Sequence, residues 1–138
     1  MKSSLVPGLT VTRQITVDEK RTIGFMGEEG RVYATPEMVR DIEQTCRDFL
    51  LQHADAGEDS VGMRVELDHL APTPLGFSVA IEATVVEIQG RVVTFEVNAR
   101  DDFDQIGRGR HMRFVADTAK SKARIAAKRA KATGPQSG

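Results

Sequence analysis

Tryptophan is absent from this chain, tyrosine and cysteine occur once each, and aromatic side chains make up only 5% of 138 residues. A single cysteine excludes an intrachain disulfide. Cys46 has no Cys or His neighbour at zinc-ligand spacing, so it reads as core filler and no metal site is expected. Long apolar runs are missing too: stretches such as residues 83–86 fall far short of a spanning helix, and the opening MKSSLVPGLT has no apolar segment of secretory length. These absences exclude disulfide-scaffold and membrane-spanning classes and lead to the expectation of a cytoplasmic protein.

What is present has the balance of an ordinary globular domain, 40% hydrophobic and 28% charged. The length fits one domain built around one core. Net charge is −1, but it is unevenly placed. From Asp117 onward six cations (Lys120, Lys122, Arg124, Lys128, Arg129, Lys131) face that single acid, a net of +5, which leaves −6 on residues 1–116. The division expected is therefore a domain over 1–116 and a basic helix with a disordered end over 117–138. Such a tail could meet phosphates. With no aromatic residues between the charges, a nucleic-acid role is not expected and the tail reads as a solvated helix.

Periodicity organises the rest. Leu9, Val11, Ile15 and Val17 alternate as in a half-buried strand, and a glycine- and charge-rich loop with room for one helical turn follows. Thr35 then reads as an N-cap, with Pro36 at the first helical position and Glu37 favouring the positive end of the dipole, for a helix from Pro36 to His53. Four strands follow, SVGMRVELDHL, GFSVAIEATVVEI, RVVTFEVNAR and QIGRGRHMRFVA, the middle two flanking a turn at Gln89-Gly90. The order β-α-β-β-β-β predicts an α+β fold with an antiparallel sheet curled around one long helix.

Three features stand out against this pattern. On a helical wheel Val39, Ile42, Cys46, Phe49 and Leu50 form an apolar arc with Arg40, Asp41, Gln44, Arg47 and Asp48 outside it, and Glu43 lies at its border. A carboxylate there is either a solvated flank or a partly desolvated base. His69 continues by twos from Val61, Met63, Val65 and Leu67 and so stands on the inward face of its strand. His111 and Arg113 share a face of the last strand and are expected at a solvated edge.

The segments YATPEMVRDIE, VGMRVELDHLAPTPLG and VTFEVNARDDFDQIGRGRHMRF resemble corresponding segments of the fluoroacetyl-CoA thioesterases, within the hotdog-fold thioesterase superfamily. The resemblance implies a hotdog fold and an acyl-CoA thioesterase whose Thr, Glu and His trio falls on Thr35, Glu43 and His69. It also implies acyl-CoA contact for Gly62 and Arg113, no cofactor beyond the CoA of the substrate, and a homodimer, or a higher oligomer, formed by joined sheets. Thr35 and Glu43 are eight residues apart, about 12 Å along one helix, so both cannot touch one carbonyl from the same chain. Two antiparallel helices across a two-fold axis would bring Thr35 of one chain to Glu43 of the other, giving two shared sites per dimer; which chain lends His69 stays open. Glu43 would activate water or attack directly, and His69 would orient it or protonate the thiolate. Before Thr35 the family's fluoroacetyl-specific pattern is longer and richer in aromatics than FMGEEGRVYAT, and Pro36 and Met112 also differ, so that selectivity is not carried over. A non-catalytic acyl-CoA-binding module of the same fold is the alternative.

Overall fold

The computed structural model describes residues 1–134. Five strands form one antiparallel sheet in the order β1-β5-β6-β7-β4: β1 (Thr10–Thr16), β4 (Glu58–His69), β5 (Ser78–Gln89), β6 (Val92–Arg100) and β7 (Gln105–Asp117). The long helix α1 (Thr35–Leu51) packs against β1 and β4 at the two edges as well as β5 and β7, so the sheet wraps around it. This is the α+β architecture expected from the periodicity. A short ribbon of β2 (Thr22–Ile23) and β3 (Val32–Tyr33), with one 3-10 turn before it (Glu19–Arg21) and another between its strands (Glu28–Gly30), occupies the segment expected to be a loop.

The core follows from the strand periods. Val79, Ile81, Ala83 and Val85 of β5 and Val93, Phe95, Val97 and Ala99 of β6 are buried against Met38, Ile42, Cys46, Phe49 and Leu50 of α1. Burial pushes the Cys46 thiol up to about 12, which fits an inert core side chain. The β5–β6 hairpin turns at Gly90, whose φ of +61° is a left-handed conformation that suits glycine.

Two details differ from the wheel and the cap expected for α1. Ala34, not Thr35, is the N-cap: its backbone is extended and its carbonyl accepts from the N–H groups of Glu37 and Met38, both at 3.0 Å. Thr35 thus opens the helix and Pro36 comes second, and the Thr35 hydroxyl makes no capping bond. Asp41 is buried rather than solvated, because Tyr33 donates its hydroxyl to Oδ2 at 2.5 Å and Arg21 donates through Nε at 2.9 Å and Nη2 at 3.1 Å. That network straps the segment before α1 onto the helix.

Strand β4 also departs from strict alternation. Its pairing with β7 slips between Gly62 and Arg64. Ser60 and Gly62 on one side of the bulge, and Val65, Leu67 and His69 on the other, pair with Val115, Arg113, His111, Gly109 and Gly107 on the inward face of β7. Val61 pairs with Phe114 on the outward face, and Met63 is the bulged residue. Val61 and Met63 therefore do not share the face of His69, and both are more than half exposed.

Helix α2 (Thr118–Thr133) carries the basic tail and leaves the body after β7. The disordered end expected beyond it, residues 135–138, lies outside the described residues. No helix among the described residues is long and apolar enough to cross a membrane.

Candidate functional site

The inward end of β4 meets the start of α1. There the Thr35 hydroxyl and His69 Nδ1 are hydrogen-bonded at 2.7 Å. Both residues are held by their flanks: the Leu70 N–H donates to the Ile106 carbonyl at 2.8 Å, and the Tyr33 N–H to the Thr73 carbonyl at 2.8 Å. The buried Thr73 hydroxyl donates to Asp101 at 2.9 Å, which ties the loop after His69 to the β6–β7 turn. His69 Nε2 is buried and, among the described residues, has no hydrogen-bond partner. Burial holds this imidazole below its ordinary value against an opposing contribution from the Ala71 backbone, so the ring is neutral near pH 7. Whichever atom donates in the Thr35 bond, Nε2 keeps an unspent capacity.

The first turn of α1 is an incomplete anion site. Pro36 has no N–H, and those of Glu37 and Met38 are taken by Ala34. The Thr35 N–H is left as the donor at this end, because the Thr35 hydroxyl is engaged with His69 Nδ1.

Two turns along α1 is a second group. Glu43 is half-buried at the border of the apolar arc, with a cleft of ≈ 300 Å³ on the side of Pro36, Val39 and Arg47, and another of ≈ 240 Å³ on the side of Gly62, Val65 and His111. Gly62 makes room for it, since a Cβ there would stand 2.6 Å from Glu43 Oε2. Arg113 Nη1 lies 3.5 Å from the same oxygen.

Arg113 and His111 are buried, which corrects the expectation of a solvated edge; they alternate with Val115 on the inward face of β7. The guanidinium spends its other donors inside the protein. Nε donates to Ser60 Oγ at 2.7 Å, Nη2 to the Ser60 carbonyl at 2.8 Å, and Nη1 to His111 Nε2 at 3.1 Å. His111 Nε2 being an acceptor, Nδ1 carries the proton and donates to the Arg64 carbonyl at 2.9 Å. Burial, joined by the Arg113 charge, holds His111 below its ordinary value despite the pull of the Arg64 carbonyl and Glu43.

The structure thus brings Thr35 to His69, and Glu43 to Gly62 and Arg113. It does not join the two groups within one chain: among the described residues no hydrogen bond links them. Ser60 is a member of the second group that sequence reasoning missed, and His111, noted there beside Arg113, belongs to the group and not to a solvated edge. Their one signal was period-two spacing with Arg113 and Val115, and the bulge masks it on β4.

Both neutral histidines make a pH prediction. With folded values below 6.5, the unfolded chain binds more protons in mildly acidic solution, so their contribution is present above about pH 6.5 and is lost as the pH falls through that value toward the folded one. Urea midpoints should fall between about pH 7.5 and pH 5.5, above the range of the carboxylates, and His111→Gln should flatten the fall. A midpoint constant across that window contradicts the burial argument.

The family model described as fluoroacetyl-CoA-specific thioesterase matches residues 17–119. The chain belongs to this family. The fluoroacetyl-CoA thioesterase of Streptantibioticus cattleyicolor is 30% identical over an alignment of 132 residues that covers 91% of this chain and 95% of the relative. A solved structure of a fluoroacetyl-CoA thioesterase superposes with a TM-score of 0.82 at 29% identity, covering 90% of this chain and 97% of the other. A thioesterase superfamily member from Thermus thermophilus does so with a TM-score of 0.82 at 30% identity, covering 92% and 96%. A hot-dog-like protein from Thermanaerovibrio acidaminovorans shares the fold at 24% identity and a TM-score of 0.82, with 88% and 91% covered. The hotdog expectation is borne out, and family membership places the chain among the thioester hydrolases.

Proposed function

We propose that this fluoroacetyl-CoA thioesterase-family protein hydrolyses a small acyl-CoA to the free acid and CoA, in two sites shared across a two-fold dimer. The observation that carries the reading is the split of the candidate residues into two groups on one helix. Thr35 and His69 meet at its start, while Glu43, backed by Gly62 and Arg113, is eight residues or about 12 Å further on. An antiparallel pair of α1 helices juxtaposes unlike groups. Because His69 is bonded to Thr35 of its own chain, the two arrive together. The edge strand β4 supports the sheet-to-sheet pairing this needs, with Met63 and Val65 exposed along it.

In each site Glu43 takes a proton from water as the water oxygen bonds to the thioester carbon. The oxyanion receives the Thr35 N–H at the positive end of α1, while the Thr35 hydroxyl donates to His69 Nδ1 and so leaves the proton of the neutral ring on Nε2. Collapse of the tetrahedral intermediate breaks the C–S bond as His69 Nε2–H hydrogen-bonds the departing thiolate. The proton that Glu43 took from water passes on to that sulfur, giving the CoA thiol and the free acid and restoring the Glu43 carboxylate. The half-exposed position of Glu43 lets water reach it, which favours a general base over direct attack. No cofactor takes part beyond the CoA of the substrate, and the reading carries a cytoplasmic location with it.

Fluoroacetyl selectivity is not part of this proposal. Of the two aromatics before Thr35, Tyr33 is spent on Asp41 and Phe25 is 80% exposed in the single chain. Thiol release measured over short, branched, aromatic and long acyl-CoAs should show turnover concentrated on small acyl groups. No release from any of them, with stoichiometric binding instead, would favour the non-catalytic module.

A further inference from the structure

Helix α2 lies almost wholly beyond the residues matched by the family model, which end at 119, and nothing in the hydrolysis uses it. Its Thr118, Ser121, Lys122 and Ile125 recur at spacings of three and four, so they form one stripe. That stripe faces a groove of ≈ 320 Å³ whose opposite wall includes Ser60, Val61 and Ala116. Ile125 and Val61, each 55% exposed, give the groove two apolar sides. Lys122 stands on its α2 wall, with Lys120 and Arg124 on the same helix. Arg47 lines both this groove and the cleft beside Glu43, so the two lie on either side of one side chain of α1. Asp59, the one acid on the groove, is matched by Arg47 through bonds of 3.1 and 2.7 Å.

We propose that the groove under α2 is the subsite for the 3′-phosphoadenosine diphosphate end of the acyl-CoA. This rests on the thioesterase reading and extends it. A flat adenine fits between Ile125 and Val61. The 3′-phosphate, of charge about −1.5 to −2, and the pyrophosphate meet a helix of net positive charge, whereas the −6 carried by residues 1–116 would repel them elsewhere. From Glu43 to Arg47 is one helical turn, about 6 Å, which the pantetheine arm spans readily.

The test compares an acyl-CoA with the same acyl group on pantetheine, which lacks the nucleotide. In the full chain, Lys122→Glu and Ile125→Asp should each raise KM for the acyl-CoA on the order of tenfold and leave kcat unchanged. KM for the acyl-pantetheine should not move. The acyl-CoA KM of the parent should also climb with salt, because exposed charges are screened over about 10 Å at 0.1 M. An unchanged acyl-CoA KM in the variants, or an equal rise for both esters, overturns the proposal. Titration with 3′-phosphoadenosine 5′-diphosphate separates this from the hydrolase reading, since it needs no turnover. The parent should bind the nucleotide and both variants should lose affinity. A parent that hydrolyses acyl-CoA yet does not bind the nucleotide, or variants that bind it equally well, sink the subsite alone. Tighter binding of a DNA duplex than of the nucleotide at about 150 mM salt also overturns it.

Discussion

Glu43→Gln should lower kcat for the best acyl-CoA by about 10²–10⁴-fold with little change in KM, the cost expected when a general base is removed from an otherwise intact site. This corresponds to roughly 3–5 kcal/mol of transition-state stabilisation. The substitution keeps the shape of the side chain, so the space left by Gly62 and the contact with Arg113 can persist, and a folding defect is not expected. The surroundings argue for a positioned carboxylate. Three inward residues from two strands converge on it: Gly62 gives it room, His111 faces the same small cleft, and Arg113 is oriented by Ser60 and His111 so that one Nη remains toward Glu43. An acid serving only as a solvated flank would have no use for a buried arginine so arranged. Thiol-release kinetics decide the matter, and a variant with the parent's kcat would leave Glu43 as a bystander.

How much of this was legible in the sequence depends on how local the cause was. Strand alternation and the wheel of α1 are local patterns, and they yielded the element order, most of the core and the border position of Glu43. The position of His69 was also right, because it follows the bulge and counts correctly from Leu67 and Val65. Gly62 precedes the bulge, so strict alternation would put it on the wrong face; only its resemblance to the family suggested a role. Asp41, His111 and Arg113 were misread for a different reason. A charged or polar residue on a wheel or strand says nothing about partners far away in the chain, and these are buried because Arg21 and Tyr33, or Ser60 and the Arg64 carbonyl, satisfy them. Nor could the cap of α1 be read to the residue: Thr35 is a strong capping type, yet its hydroxyl is bonded to His69, 34 positions away.

Mixing two inactive variants tests the shared site directly. A Thr35→Ala chain keeps its Glu43, and a Glu43→Gln chain keeps its Thr35 and His69. If each site takes Thr35 and His69 from one protomer and Glu43 from the other, a heterodimer of the two variants has one complete site and one doubly damaged site. After equal mixing and full subunit exchange about half the dimers are heterodimers, so about a quarter of the parent activity should return. If all three residues acted within one chain, no mixture could restore anything. The converse experiment separates the cases from the other side. Mixing the parent with an equal amount of the Thr35→Ala/Glu43→Gln double variant leaves about half the sites active if they are intrachain, but only about a quarter if they are shared, because every heterodimer site then contains one damaged group. The separation of about 12 Å along α1 is the reason to expect the shared outcome, since a helix cannot shorten to bring Glu43 to its own Thr35.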